Sequence, residues 1–214
     1  MTSSLDIDIP GIPRVDPVEV GFDTRRLQRM DEHFAAYLSA DLLTSWHVTI
    51  CRDGKIAYCS GAGLADREQA RPVSADTIWR IYSMSKPITA VAALMLWEEG
   101  RFEMRDPVAK FIPSFASSQV WRSGTSVEPV LEPQTEPMQM WHLFTHTAGL
   151  TYGFMYSHPV DELYRKAGME WGFPGDLDLA GVCDLLATQP LLFQPGSEWN
   201  YSTSIDVLGR VVEV

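Results

Sequence analysis

The chain has 214 residues, of which 45% are hydrophobic and 21% are charged. These proportions are typical of a globular protein and exclude a disordered or fibrous one. The net charge of −11 repels phosphate backbones, which argues against a nucleic-acid partner.

Residues 1–20 are proline-rich and lack periodicity, which predicts an extended leader. They contain neither the basic nor the apolar region of a secretory signal, so we expect a cytoplasmic protein. The longest apolar stretch, Ala90–Trp97, is too short to span a bilayer, and no membrane partner is expected.

A helix is predicted next, with Asp23 or Thr24 as its N-cap. Two apolar runs follow, Trp46–Arg52 and Lys55–Ser60, on either side of the dipeptide Asp53-Gly54. Asp-Gly between apolar runs favours a β-hairpin with a two-residue turn. Residues 77–82 are predicted as a further short extended segment.

The segment from Ser83 to about Glu99 is predicted to be an apolar helix that ends at Gly100. Pro87 falls in its first turn, where a missing N–H is tolerated. Ser83 therefore lies at or just before the N-terminus of this helix.

The rest of the chain is predicted to be mostly helical. Residues 101–134 are interpreted as turns and loops, and residues 152–176 as a long loop with one helix. Further helices are expected at Gln139–Thr145, Asp178–Thr188 and Ile205–Val214.

The three cysteines, Cys51, Cys59 and Cys183, fit no zinc or redox spacing. We expect all three to be buried free thiols. No cluster of metal ligands occurs in the sequence, so neither a metal nor a cofactor is expected.

Ser83-Met84-Ser85-Lys86 forms an S-x-x-K pattern, which places Ser83 and Lys86 on one face of a helix. A serine hydroxyl becomes a good nucleophile only when a base takes its proton, and a lysine with a lowered pKa can do so. The helix N-terminus adds a positive field, and the N–H of Ser83 could help to form an oxyanion hole.

The S-x-x-K pattern alone is weak evidence for catalysis, because a chain of this length contains about one such pattern by chance. The alternative interpretation is a capping serine and a solvated lysine. Position strengthens the catalytic interpretation, since a strand-like run precedes Ser83 and an apolar helix follows it.

Four segments, in the same order, resemble the β-lactamase-related serine hydrolases, which include class C β-lactamases, DD-peptidases and family VIII carboxylesterases. They are TIWRIYSMSKPITAVAA (77–93), the residues from EEGR through DPV to FIP (98–113), LFTHTAGL (143–150) and QPGSEWNYSTSIDVLG (194–209). The resemblance covers residues 21–214 and implies that Ser83 is the nucleophile and Lys86 its partner.

In the last of these segments, Tyr201 resembles the catalytic tyrosine of the family's Y-x-N motif, which here is Tyr201-Ser202-Thr203. The resemblance implies that Lys86 stabilises its phenolate and that the two groups share the proton of Ser83. Thr203 stands where most relatives have Asn, so a contact that would hold a lactam's amide is in doubt, which favours an ester substrate.

Other side chains have weaker claims. His142 and His146 invite a Ser-His interpretation, but the resemblance implies that His146 is structural, and we expect it to tie the turn at Gly149. Tyr152 is predicted to bind substrate. It belongs to a set of aromatic residues that could line an apolar pocket or simply pack in the core: Trp141, Tyr152, Phe154, Tyr156 and Trp171.

The family's third motif, on a strand near its C-terminus, does not occur in this sequence. We therefore expect the C-terminal segment of the same domain, with its strands, to be missing. The predicted fold is α/β: an antiparallel sheet flanked by helices, with a mostly helical region. After the leader, residues 21–214 are predicted to be one incomplete hydrolase domain, with the nucleophile in an α/β part (21–90) and a mostly helical part (91–214).

The predicted function is hydrolysis of a small ester through an acyl-enzyme at Ser83. The alternatives are a β-lactamase or DD-peptidase acting on a lactam or peptide, and a non-catalytic scaffold of the same fold. A fluorophosphonate probe would separate the enzymes from the scaffold, because it labels only an activated serine.

The complete protein should hydrolyse p-nitrophenyl acetate or butyrate, and Ser83→Ala should abolish this activity because no acyl-enzyme can form. The release of p-nitrophenol measures both. A Ser83→Ala protein that retains the wild-type burst amplitude would show that Ser83 is not the nucleophile.

Overall fold

The computed structural model describes residues 5–214, which divide into two compact units. The first ends at Arg80, and the second comprises Ile81–Val214. Ser83 and Lys86 thus belong to the second unit. The domain boundaries expected from the sequence stay predictions.

The first unit contains an antiparallel sheet with the strand order β1-β3-β2, and β4 pairs with the far end of β3. Its strands are β1 (Leu5–Asp6), β2 (Ser45–Arg52), β3 (Lys55–Asp66) and β4 (Arg71–Pro72). The predicted hairpin is confirmed. Asp53 and Gly54 both have positive φ, 53° and 71°, as its tight turn requires.

Helix α1 (Thr24–Ser39) packs on this sheet, and the Asp23 carboxylate caps it by accepting from two backbone N–H groups. On the sheet side, Tyr58 and Ser60 both donate hydrogen bonds to Asp31. The helix therefore fits the predicted start, with Asp23 as the N-cap.

Part of the leader contributes to the sheet, because β1 pairs with β3 and Arg14 forms an isolated β-bridge with Ile56. Two predictions about this part of the chain are wrong. Cys51 is exposed, since its strand alternates its side chains between two faces. Among the described residues, no strand includes Thr77–Tyr82, and Ile78 is 98% exposed, so its apolar side chain has no sheet to pack on.

The second unit is mostly helical, as predicted, and its helices pack around one apolar core. The helices are α2 (Lys86–Glu98), α3 (Met140–Thr145), α4 (Pro159–Lys166), α5 (Leu179–Ala187) and α6 (Ser204–Glu213). Helix α6 contacts α2, α3 and α5, and its Val207 and Leu208 are fully buried. This packing brings the start of α6 next to the start of α2.

A β-hairpin lies where turns and loops were predicted. Its strands are β5 (Gln119–Gly124) and β6 (Pro129–Pro133), which pair antiparallel. Proline at both ends of β6 and the absence of an Asn-Gly or Asp-Gly turn conceal it in the sequence. The one local signal is Gly124, whose φ of 100° marks the end of β5.

Gly63 in β3 should be intolerant of a side chain. Its φ is 92°, and a Cβ there would lie 2.3 Å from the carbonyl oxygen of Thr44. Gly63→Ala should lower the free energy of unfolding by more than about 2 kcal/mol, measured by urea denaturation.

Gly54→Ala is the matched control, because its φ is also positive but open space surrounds the new Cβ. It should cost about 1 kcal/mol. Equal losses for the two variants would contradict the close backbone approach at Gly63.

Candidate active site

Ser83 lies in a 3₁₀ turn, Tyr82–Ser85, that leads directly into α2. Pro87 occupies the first turn of the helix, as the sequence predicts. Tyr82 has a φ of 45°, a left-handed conformation that is strained for a bulky residue and is often found at functional sites. Sequence reasoning could not predict this strain, because no glycine stands at the position.

Lys86 lies one turn after Ser83, and its Nζ donates a hydrogen bond of 3.2 Å to Ser83 Oγ. The same ammonium lies 4.9 Å from the centre of the Tyr201 ring and 5.7 Å from that of Tyr152. The structure therefore brings three of the predicted site residues, Ser83, Tyr201 and Tyr152, around the ammonium group of a fourth, Lys86.

The two tyrosines have opposite pKa shifts. Burial raises the pKa of Tyr201, but its interactions with Lys86 and Ser83 outweigh burial, and the net pKa is lowered. Burial and the Asp206 carboxylate raise the pKa of Tyr152 above its usual value, despite the nearby Lys86. Of the two phenols, Tyr201 is thus the one that loses its proton more readily.

The pKa of Lys86 is raised overall. Burial lowers it, but the interactions with Tyr201 and Tyr152 more than compensate. A lysine that keeps its proton acts as a fixed positive charge rather than as the base. This distribution of protons could not be inferred from the sequence.

Asp206, in the first turn of α6, is a site residue that sequence reasoning missed. It lines a cavity of about 240 Å³ together with Lys86. Burial raises the pKa of its carboxyl group, and the positive charge of Lys86 opposes this. In the sequence, the only signal for Asp206 was that it lies about one helical turn after the motif Tyr201-Ser202-Thr203.

Thr203 immediately precedes α6 and is only 2% exposed. Its side chain does not approach the solvent but lines a second cavity, next to Tyr152. Tyr152, Phe154 and Trp171 also line this cavity, as the aromatic-pocket hypothesis predicts. The other two residues of the predicted aromatic set do not line this cavity. Trp141 Nε1 donates a hydrogen bond to Gln139, and the Tyr156 hydroxyl donates one to Glu170.

His146 holds the segment that carries Tyr201. Its Nδ1 accepts the backbone N–H of Ser202 at 3.2 Å, and its carbonyl oxygen accepts the N–H of Asn200 at 2.9 Å. Both neighbours of Tyr201 are thus fixed to the C-terminal end of α3. The hydrogen bonds of His146 thus hold the segment around Tyr201 and not, as expected from the sequence, the turn at Gly149.

The described residues contain no group of three or more His, Cys, Asp or Glu side chains placed to hold a metal ion. None of the helices between residues 5 and 214 combines the length and the apolar character needed to cross a membrane.

The β-lactamase family model matches residues 30–214, so the chain belongs to the β-lactamase family. The chain is 36% identical over 202 residues to esterase EstB of Burkholderia gladioli, an alignment that covers 93% of this chain and 48% of that protein. It spans about half the length of the curated relatives it matches.

Solved structures agree with this assignment. EstCE1, a hydrolase with promiscuous acyltransferase activity, is 32% identical with a TM-score of 0.71, over 88% of this chain and 45% of that one. Unliganded simvastatin synthase (LovD) from Aspergillus terreus is 26% identical with a TM-score of 0.68, over 93% and 48%. The predicted β-lactamase/transpeptidase-like fold is confirmed.

His142 should make stability depend on pH. Burial lowers its pKa from 6.5 to about 4, and its Nδ1 accepts the backbone N–H of Gln139. Between pH 6.5 and about 4, the imidazole of His142 is therefore protonated in the unfolded chain but neutral in the folded protein. Stability should fall by about 2–3 kcal/mol as the pH drops from 7 to 4, and His142→Asn should remove this component.

Urea denaturation across this pH range measures the effect. His33→Asn, at an exposed histidine, is the control and should leave the pH dependence as in the wild type. Parallel curves for the wild type and His142→Asn would contradict the burial of a neutral imidazole.

Proposed function

We propose that this chain supplies the nucleophile and the proton-transfer groups of a serine hydrolase that cleaves small esters. The observation that carries the proposal is the hydrogen bond of 3.2 Å from Lys86 Nζ to Ser83 Oγ, with the Tyr201 ring 4.9 Å from the same nitrogen. Nucleophile, cation and phenol are thus in reach of one another without any movement.

In the first step, Ser83 Oγ attacks the ester carbonyl while its proton passes to the Tyr201 phenolate. Lys86 keeps its own proton and stabilises the negative charge on Tyr201. The backbone N–H of Ser83, at the start of α2, donates to the developing oxyanion. The tetrahedral intermediate then releases the alcohol, which takes the proton back from Tyr201.

In the second step, water attacks the acyl-enzyme and gives its proton to Tyr201, and Ser83 recovers its hydroxyl as the acid leaves. The names of two relatives, esterase EstB and lovastatin esterase, support an ester as the substrate. Thr203 supports it too, because it stands where most of the related enzymes have Asn and lacks the amide that would hold a lactam's amide group. The cytoplasm is the proposed compartment.

Transfer of the acyl group to an alcohol is a second candidate. It uses the same acyl-enzyme, with an alcohol in place of water. The description of EstCE1 and the names of the fungal acyltransferases among the relatives favour it. Product analysis in the presence of an added alcohol separates transfer from hydrolysis. The missing C-terminal segment of the domain, which would carry the family's third motif, remains a prediction.

The pH dependence of turnover tests the assigned proton positions. If Tyr201 must be deprotonated, kcat/KM rises with pH up to the lowered pKa of Tyr201 and then levels off. Lys86→Met removes the stabilising cation, so the pKa of Tyr201 rises and the ascending limb should move about one to three pH units higher. Stopped-flow or steady-state rates on p-nitrophenyl butyrate measure this.

Lys110→Met is the control, because Lys110 pairs with Asp106 away from Ser83, and its ascending limb should stay in place. Combining Lys86→Met with Tyr201→Phe should lose little more than either change alone, since the two groups act as a unit. An unshifted limb in Lys86→Met, or fully additive losses, would contradict the shared role.

A further inference from the structure

Tyr152 places a second phenol beside the proposed reacting group. The centre of its ring lies 5.7 Å from Lys86 Nζ and 5.7 Å from the centre of the Tyr201 ring. Phe154 stacks on the same ring, with the two centres 4.8 Å apart and the two planes 19° from parallel. These contacts fix the Tyr152 ring next to the ammonium group.

The hydroxyl proton of Tyr152 is free to be donated. A protonated lysine has only donors, so in the interaction with Lys86 the Tyr152 oxygen is the acceptor. Among the residues that the structure describes, none accepts a hydrogen bond from the Tyr152 hydroxyl. The side chain is half-buried, it lines a cavity of about 190 Å³, and its hydroxyl is not among the enclosed ones. A substrate bound at Ser83 can therefore accept from this hydroxyl.

The surroundings of Tyr152 keep its phenol neutral. Burial and the carboxylate of Asp206, which lines the same cavity, raise the pKa of Tyr152, whereas the pKa of Tyr201 is lowered. The two phenols therefore differ in what they do at one pH. Tyr201 can accept a proton, and Tyr152 can donate a hydrogen bond without giving its proton up.

The place of the leaving oxygen decides which part of the ester Tyr152 reaches. In the proposed mechanism the N–H of Ser83 binds the carbonyl oxygen, and Tyr201 returns its proton to the alkoxy oxygen. The alkoxy oxygen must therefore lie next to the Tyr201 hydroxyl. The Lys86 ammonium interacts with the hydroxyl groups of both tyrosines, so the Tyr152 hydroxyl lies on this same side of the ester.

We propose that Tyr152 is a further catalytic residue, whose neutral hydroxyl donates a hydrogen bond to the alkoxy oxygen of the ester as the bond between that oxygen and the acyl carbon breaks. The electron pair of the bond moves to the alkoxy oxygen. The proton that neutralises this oxygen comes from Tyr201, and Tyr152 keeps its own. The proposal rests on the proposed function, because it adds a donor to the same acylation step.

Three acetate esters test this role, because they form the same acetyl-enzyme and differ only in the leaving group. Ethoxide is strongly basic and gains most from a donor, 2,2,2-trifluoroethoxide is similar in size but less basic, and 4-nitrophenolate gains least. In the complete protein, Tyr152→Phe should lower kcat/KM about 30- to 100-fold for ethyl acetate. The loss should be less than about threefold for 4-nitrophenyl acetate and intermediate for trifluoroethyl acetate. Acid release in a pH-stat measures all three.

Tyr152→Phe keeps the ring that stacks on Phe154 and removes only the hydroxyl. Labelling of Ser83 by a fluorophosphonate, to the same extent as in the wild type, shows that the variant is folded and has an activated nucleophile. Tyr37→Phe is the matched control, because Tyr37 does not line the cavity beside Tyr152. It should leave kcat/KM for all three esters as in the wild type.

An equal loss for the three esters in Tyr152→Phe, or no loss for ethyl acetate, would overturn the role of Tyr152 and leave the proposed function standing. Hydrolysis of these esters that persists in Ser83→Ala would contradict the proposed function, and the role of Tyr152 would fall with it.

Discussion

The ammonium group of Lys86 is the charge on which the rest of the site depends. It bonds to Ser83 Oγ and lies beside the rings of Tyr201 and Tyr152. Its effects on the two phenols differ, because Tyr152 is more deeply buried and is affected more by Asp206. The pKa of Tyr201 falls while that of Tyr152 rises. Neighbouring groups whose pKa values are pushed apart in this way can divide the acid and base roles between them, which supports the proposal that Tyr201 is the base.

The fold holds this arrangement from two directions. The 3₁₀ turn Tyr82–Ser85 and the start of α2 hold Ser83 and Lys86 one turn apart. Helix α6 packs against α2, which brings Asp206 and the preceding Tyr201 to Lys86. The backbone on both sides of Tyr201 is anchored by His146. A histidine that accepts a backbone N–H in a buried position acts on the position of Tyr201, not on the substrate. The proposed reacting group therefore consists of Ser83, Lys86 and Tyr201 and needs no catalytic imidazole.

The sequence predicted the parts of this site that depend on local spacing. Ser83 and Lys86 follow from an i, i+3 pattern at a helix start, and Tyr201 follows from the ordered resemblance of four segments. Asp206 was missed because its place beside Lys86 arises from packing between α2 and α6, which lie far apart in the chain and are connected by no local pattern. The same holds for Thr77–Tyr82, where apolar residues at strand spacing have no neighbouring strand. The β5–β6 hairpin escaped because its turn lacks the usual dipeptide.

Tyr201, and not Lys86, is the group proposed to lose its proton and to act as the base. An NMR titration of protein labelled with ¹³C at tyrosine Cζ measures this directly, because the Cζ shift reports ionisation of each phenol, and Tyr201→Phe and Tyr152→Phe assign the two signals. We expect Tyr201 to titrate below the usual tyrosine pKa of about 10 and Tyr152 to titrate above it. If Tyr201 titrates at or above Tyr152, Lys86 does not stabilise its phenolate, and the assignment of the base is wrong.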